Sequence, residues 1–403
     1  MTKEKTLRFL KKGETLMSEA TTGISLHCHT LHSKELLDFV PYYAERIPVV
    51  SQLWRRSMKR RQENNGAIPD FKAGYWEPPL NAEAVVRSES DHLDGLGLAS
   101  IVSITDHDSI KAGLELSETG APISMEWTVP FRRAFFHVGV HNLPPSGVRE
   151  IADLLLAYTF AAGYPDENRL LALLEMLGKY ENVLVVLNHP IWDIEMIGQI
   201  AHERALAEFL SIYKNHFHAL EVNGFRAWSE NQMVVDLAAD LGLPVVSGGD
   251  RHCCRPNTVI NITDAASFAD FVYEIRVERR SRVAVMPEYH VPLPSRQLAS
   301  IRQILFDSSR YGEDRTLWSD RVFLDSGDGR GIISLTKQWN GRRPFWTHLA
   351  IAAVGVLGHP AMRPFIAAAV GDADIGREVE AAFAEPFNVA KGLAAENLEP
   401  RSI

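Results

Sequence analysis

The sequence predicts an α/β protein, a distorted (β/α)7 barrel followed by a mostly helical C-terminal extension. Three observations predict it. Short apolar runs alternate with segments of helical periodicity from about residue 23 to residue 289. About seven such units recur, enough to close or nearly close a barrel around a parallel sheet. Near Pro292 the rhythm stops, and the remaining apolar spacing is mostly helical. The expected division is an N-terminal segment (1–22), a barrel (23–290) carrying an insertion at 36–80, and an extension (291–403).

In chain order the strand-like runs are ISL (24–26), LASIVSIT (98–105), PISM (122–125), AFFHVGV (134–140), NVLVVLN (182–188), HALEVN (218–223) and LPVVSGG (243–249). Each is short and apolar, as a strand buried on both faces should be. Between them, VREIADLLLAYTFAA, NRLLALLEMLGKY, ALAEFLSIY and ASFADFVYEI place apolar residues at i, i+3 and i+4 and are expected to be helices. Two regions depart from the rhythm. The 36–80 insertion holds a basic run, RRSMKRRQ, and a loop-like FKAGYWEPPL; it is read as a cover or substrate contact, with a plain solvated helix as the alternative. Past Pro292 comes helical sequence, including an amphipathic stretch around residues 373–385.

Bulk properties narrow the partners. The net charge of −9 offers no general attraction to a long duplex or an anionic membrane. A small anionic substrate remains compatible, because bound cations reverse the local sign. Cys28, Cys253 and Cys254 are too few for a disulfide framework and fit a reducing cytoplasm, the expected location. The first twenty residues have no apolar core resembling a secretory signal. The longest apolar stretch, LAIAAVGVLG (349–358), is well short of the roughly 20 residues that span a bilayer and is read as a buried helix segment.

The chemistry sits at the ends of the strand-like runs. His27-Cys28-His29 follows the first, Asp106-His107-Asp108 the second and Glu126 the third. His137 lies within the fourth run and His141 follows it; His189 follows the fifth, and Asp250-Arg251-His252 the last. Alternate residues of a strand share a face, so His27 with His29, and Asp250 with His252, are expected to reach one ion together. In a β/α barrel the carboxyl ends of the strands open onto one mouth. Six such ends carrying His, Asp or Glu make a metal site, and imidazole with carboxylate suits Zn, Mn or Fe. A single His at a strand end is commonly structural; six in one register are not.

LHCHT, SITDHDSI, the Glu of ISMEW, FHVGV, LNHP and SGGDRH, in this order over residues 23–260, resemble the successive motifs of the polymerase and histidinol phosphatase (PHP) superfamily. The resemblance implies a distorted seven-stranded β/α barrel, two or three divalent ions, and hydrolysis of a phosphomonoester or phosphodiester by a metal-activated water. Carried over residue by residue, it implies that His27, His29, Glu126 and Asp250 hold one ion, with Glu126 bridging to a second completed by His137 and His189. A third would take His107 and His252 with a ligand from the loop after His29. There the sequence departs from the family's usual S-D-G and reads Ser33-Lys34-Glu35; Glu35 is the chosen ligand and His32 the second choice, and if neither binds the centre is dinuclear.

Asp106 is expected to orient a ligand imidazole from behind, and Glu221 is a candidate for a similar place. His141 is a possible general acid or substitute ligand, against a structural hydrogen bond. Arg226, Arg251 and Lys34 are candidates for holding substrate phosphate, although Arg251, between two ligand positions, can also face away; Arg132 and Arg133 are expected in solvent. Trp127 and Trp192 are read as packing residues with base stacking as the alternative. The expected partner is a small phosphorylated molecule, a nucleotide or a short oligonucleotide, with no membrane. Two other functions are weighed: amidohydrolase-type chemistry on a related barrel, and a non-catalytic metal-binding regulatory domain. Amidohydrolases usually bridge their metals with a carbamylated lysine, whereas the strand end here supplies Glu126.

Overall fold

Runs such as Leu184–Asn188, Val245–Gly248 and Val259–Thr263 are too short for a stable helix and rich in β-branched residues, and each is a strand buried at every position. The computed structural model describes residues 6–46, 48–63, 69–163 and 166–370. The amphipathic stretch expected around 373–385 lies outside the described residues.

The strands are β1 (Leu7–Phe9), β2 (Thr22–Cys28), β3 (Glu35–Leu36), β4 (Asp70–Trp76), β5 (Ala99–Ile104), β6 (Met125–Phe131) and β7 (Ala134–His141). They continue with β8 (Leu184–Asn188), β9 (Ala219–Asn223), β10 (Val245–Gly248), β11 (Val259–Thr263), β12 (Val283–Val285), β13 (Val322–Asp325) and β14 (Ile332–Ser334). They form three sheets, ordered β1-β12-β11-β2-β5, β10-β9-β8-β7-β6 and β14-β13-β4-β3.

The result is a mixed α/β fold in which, among the described residues, no sheet closes. The two larger sheets touch at isolated bridges, Cys28 with Arg251 and His107 with Glu126. Backbone bonds run across these seams, from His29 N–H to the Arg251 carbonyl at 2.8 Å and from Asp108 N–H to the Glu126 carbonyl at 2.9 Å. The ladders stop there for a local reason. His27, Asp108 and Asp250 have φ of 63°, 50° and 52°, a left-handed backbone that cannot continue an extended strand. Both sheets nonetheless enclose one apolar cluster, with Ile24 and Leu26 from β2, Leu184 and Val186 from β8, and Val246 from β10.

The expectation of an all-parallel sheet is also corrected. β8, β9 and β10 run parallel, as do β2 and β5, but β6, β7 and β8 pair antiparallel. PISM is not itself the strand: β6 begins at Met125 and returns as β7 through a tight turn at Arg132, which has φ 56°. Arg132 is exposed there and pairs with Glu167 and Glu208.

Helices start where short polar side chains satisfy their first N–H groups. Asn81 accepts from Ala84, Asp166 from Asn168 and Arg169, and Ser267 from Asp270. These caps open Ala82–Gly95, Glu167–Gly178 and Phe268–Arg276, which pack apolar faces on the strands. The basic run lies on the helix Pro48–Glu63.

Three further regions differ from expectation. FKAGYWEPPL is not a loop, since most of it is β4. β4 pairs with β13 of the C-terminal extension, so insertion and extension share the third sheet. Residues 7–9 of the N-terminal segment form β1, which adds to the first sheet beside β12. The apolar stretch at 349–358, expected to be buried, falls mostly on the helix Phe345–Leu357, where only Thr347 is buried and Phe345 and Trp346 are 76% and 64% exposed. Among the described residues no single helix is long and apolar enough to cross a membrane.

Candidate metal centre

Two of the left-handed residues at the seams, His27 and Asp250, aim their side chains at a common place, whereas Asp108 accepts from Thr128 N–H at 2.9 Å. β2 carries a register shift between Ser25 and Cys28, so His27 and His29 meet across a bulge rather than by simple alternation. β10 ends at Gly248, and Asp250 and His252 reach the same place from the loop beyond it. Glu126 comes from the start of β6, His137 from β7, and His189, at φ 27°, directly follows β8.

Glu126 is fully buried at the middle of these groups. Its Oε2 lies 3.0 Å from His27 Nε2, 3.5 Å from His29 Nε2 and 3.2 Å from His107 Nδ1. Its Oε1 lies 3.2 Å from His137 Nδ1 and 3.1 Å from His189 Nε2, and accepts from Asn188 Nδ2 at 3.0 Å. Asp250 Oδ1 stands 3.7 Å from His27 Nε2 and 3.6 Å from His29 Nε2. A second carboxylate gathers the remaining imidazoles: Glu35 Oε2 is 3.3 Å from His107 Nε2 and 3.1 Å from His252 Nε2. His32, the other candidate in that loop, instead meets Glu115 at 2.7 Å.

These groups fit divalent ions. His27 Nε2, His29 Nε2, His137 Nδ1 and Glu126 Oε2 are buried without a hydrogen-bond partner, a costly condition for polar atoms with nothing to bind. Four sets of His and carboxylate atoms converge closely enough for one ion each: His29-Glu35-His107-His252, His27-His29-Glu126, His27-His189-Glu221 and His107-Glu126-His137. Because the sets share residues, they form one contiguous cluster.

The electrostatics show what stands in for the cations. Burial works against ionising Glu126, but surrounding imidazoles led by His27 and His137 hold its pKa well below the usual range. Burial is likewise outweighed at Glu35 by His252 and His107, and at Asp250 by His252 and His29. Burial opposes charge on His107, yet Glu35 and Glu126 raise its pKa to about 10. Buried His29, with His252 and His107 nearby, falls to about 3. Carboxylates thus stay ionised by sharing a few imidazolium protons, an arrangement that cations can replace.

Other predicted residues separate clearly. Glu221 is behind His27, its Oε2 2.6 Å from Nδ1, and Asn223 donates to its Oε1 at 2.6 Å. Asp106 does not face an imidazole; it accepts from Thr30 N–H at 2.5 Å and Thr30 Oγ1 at 2.7 Å, clamping the backbone beside His29. Burial lifts its pKa to about 7 against those hydrogen bonds. His141 is held away from the cluster, with Nδ1 2.8 Å from Ser103 Oγ and a pKa lowered to about 3, mainly by burial. It takes the structural alternative.

Of the three cations, Arg251 does not reach the site. It is 5% exposed and turned inward to Glu89, with Nε–Oε1 of 2.9 Å, and to Ser88 Oγ at 3.0 Å. Lys34 is exposed and lies over the Tyr75 ring at 4.8 Å. Arg226 stays at the rim, its guanidinium 3.6 Å from the centroid of Trp192, whose ring is edge-on to His189 at 5.1 Å. The Nε of Arg226 is buried without a partner. Trp127 is a core residue that donates to the Leu155 carbonyl at 3.1 Å. Cys28 and Cys253 are buried thiols raised to about 12 and about 11, first by burial, and neither belongs to a ligand set.

Sequence reasoning missed several supports. Ser33 Oγ donates to Glu35 Oε1 at 2.6 Å and accepts from His107 N–H at 3.1 Å. Glu89 and Asn257 brace β2 from beneath: Asn257 Nδ2 donates to the Leu26 carbonyl at 3.0 Å, and Glu89 accepts from Ser25 Oγ at 2.9 Å. Trp76 on β4 stands 5.9 Å from the His252 ring. Ser33 and Trp76 adjoin motifs already singled out, whereas Glu89 looks like an ordinary helix-surface residue until the fold buries it.

No protein-family model matches the chain, and no curated protein sequence does. Solved structures that it resembles include an amidohydrolase from Chromobacterium violaceum, at 17% identity, covering 44% of this chain and 89% of that one, with a TM-score of 0.28. PsfC from Pseudomonas syringae shows 16% identity over 66% of this chain and 93% of its own, with a TM-score of 0.32. They also include a protein from Bifidobacterium adolescentis assigned as a metal-dependent phosphoesterase, at 16% identity over 64% of this chain and 96% of that one, with a TM-score of 0.32.

Proposed function

We propose that this chain is a metal-dependent phosphoesterase of the PHP type, hydrolysing a phosphomonoester or phosphodiester of a small molecule, nucleotide or short oligonucleotide. The carrying observation is Glu126, whose two carboxylate oxygens face different groups of imidazoles, His27, His29 and His107 on one side and His137 and His189 on the other. A carboxylate so placed is suited to span two cations. Divalent ions bound there would acidify water and offset charge on a phosphoryl group.

The chain's own residues would act around those ions. His27, His29, Asp250 and Glu126 would hold the first, Glu126 with His137 and His189 the second, and Glu35 with His107 and His252 the third. Zn, Mn and Fe all suit this donor set. Glu221 fixes the ring of His27, and Asn188 fixes Glu126. Arg226, whose guanidinium lies over Trp192 beside His189, would engage a substrate oxygen. The meeting of both large sheets at the seam bridges supports reading the seven central strands as the distorted barrel of that superfamily.

The test combines elemental analysis with a panel holding an aryl phosphate, an aryl phosphodiester, nucleoside monophosphates and a short oligonucleotide. Two or three ions per chain, with turnover abolished in His27→Ala/His29→Ala, is the expected outcome. Bound metal without turnover would point to amide hydrolysis or a regulatory domain; an intact fold that binds no metal would overturn the proposal.

A further inference from the structure

The third group of ligands is supported differently from the others. Glu126, His137 and His189 are carried on or directly beside strands of a large sheet. Glu35 belongs to β3, whose partner is β4, with Glu35 opposite Trp76 and Leu36 opposite Tyr75. β4 is in turn paired with β13, Trp76 opposite Val322 and Tyr75 opposite Phe323, where the two rings stack at 4.9 Å. The N–H of Glu77 donates to the Arg321 carbonyl at 2.9 Å, and Arg315 forms an ion pair with Glu77. Arg321 is 1% exposed and donates to the carbonyls of Ile304 and Phe306 at 2.6 and 3.1 Å, tying β13 to the end of the helix Leu293–Ile304.

That same helix holds the loop bearing His252. The N–H of Cys254 donates to Gln303 Oε1 at 3.1 Å, and Cys253 Sγ lies 2.6 Å from Ser300 Oγ. Both Glu35 and His252 therefore lean on the C-terminal region, one through two strands and the other through a helix.

We propose that the segment 293–325 is an intramolecular clamp that completes the third metal position, with Gly74, Phe323 and Leu324 as positioning residues that set Glu35 against His107 and His252. This rests on the reading of Glu35 as a ligand. Without the clamp, Ser33 Oγ is the main remaining restraint on the Glu35 carboxylate, and the chain would keep two ions and lose the third. The seam has little tolerance. A Cβ at Gly74 would lie 2.7 Å from Leu324 Cδ1 and 3.3 Å from the Phe323 carbonyl oxygen. A branched side chain there must displace the Leu324 side chain and presses on the Phe323 carbonyl, the contacts that join β4 to β13.

The test uses the full chain as wild type, Gly74→Val, Phe323→Ala and Glu35→Gln. Manganese per chain is measured by elemental analysis and equilibrium titration, with circular dichroism reporting the fold. Glu35→Gln and Gly74→Val should each lose one ion and keep the rest. Phe323→Ala, a milder lesion of the same seam, should weaken the last ion at least tenfold and stands in should Gly74→Val fail to fold. Loss of an ion in Glu35→Gln but full, unweakened occupancy in both seam variants would overturn the clamp and leave the metal centre standing. Loss of every ion from a folded seam variant would also overturn it, because the seam would then support the whole centre. Full occupancy in Glu35→Gln would remove Glu35 as a ligand and the inference with it, and a wild type without metal would bring down the metal-centre reading itself.

Discussion

Replacing Glu221 by Gln should weaken metal binding by about 10- to 100-fold while leaving the fold intact, and the reason is a tautomer. An ionised carboxylate only accepts, so at 2.6 Å the Nδ1 of His27 must donate to Glu221 Oε2. With that proton fixed on Nδ1, Nε2 is the ring atom left to offer a lone pair to a bound cation on the side of Glu126 and Asp250, as a ligand requires. Gln is nearly isosteric but carries one donor end. If its NH2 faces His27, Nδ1 becomes the acceptor and the proton moves to Nε2, removing the lone pair. If its oxygen faces His27, the NH2 meets Asn223 Nδ2, which now donates to Glu221 at 2.6 Å.

Asn223 cannot simply turn over. Its Oδ1 accepts from Phe225 N–H at 2.7 Å, and its backbone is bonded on both sides by Asn231. Nor can the Gln side chain back away, since Gly248 lies so close that a Cβ there would be 2.0 Å from the Glu221 carboxyl. One orientation removes the ligand lone pair and the other strands a donor, and a 10- to 100-fold loss corresponds to about 1.4–2.7 kcal/mol. Competition of the native chain and Glu221→Gln against a chromophoric chelator, with zinc and separately with manganese, measures it. Affinities equal within twofold in a folded variant would refute the tautomer argument, and with it the placing of His27 Nε2 as a ligand atom.

Two further outcomes concern stability. Arg251→Met should lower the unfolding free energy by about 3–5 kcal/mol in urea titrations, because it leaves the fully buried Glu89 carboxylate without its cation; a loss under 1 kcal/mol would show that the pair is solvated. His218 accepts from Val185 N–H through Nδ1, and burial with Arg276 and Arg279 nearby lowers its pKa to about 3. The unfolded chain therefore takes up this proton first, so the stability it contributes is complete above pH 6.5 and drains away as pH falls toward 3, by at most about 2 kcal/mol at pH 5. His218→Asn, which keeps an acceptor for Val185, should shrink the stability difference between pH 7.5 and pH 5 by up to that amount, and an unchanged difference would contradict the assignment.

Which residues converge was legible in the sequence because those that meet in space are punctuation in the chain: each follows or adjoins a buried apolar run. Even the choice of Glu35 over His32 agrees with their placement, one beside His107 and His252 and the other paired outward with Glu115. Pairings between remote segments left no such mark. β4 looked like a loop because its burial is irregular, and its partner β13 lies in a region whose dominant spacing is helical. The apolar helix Phe345–Leu357 misled in the opposite direction, since hydrophobic composition alone does not decide burial.

The H-x-H motif shows how a sound inference can rest on the wrong geometry. Strand alternation places His27 and His29 on one face, and that alone would let them share an ion. In the structure β2 is interrupted there: His27 takes φ 63°, the register shifts, and the seam to Arg251 opens. The same break recurs at Asp108 and Asp250, so the residues that end the ladders belong to the segments that present the ligands. A continuous strand would hold its side chains perpendicular to the sheet, about 7 Å apart at i and i+2 by the strand rise, whereas the two imidazole centroids here are 5.0 Å apart. The interruption that ends the ladders therefore also draws the two imidazoles together, and strain of this kind persists only where the surrounding structure over-determines it. Glu89, Asn257 and Arg251, packed beneath the break, supply that restraint.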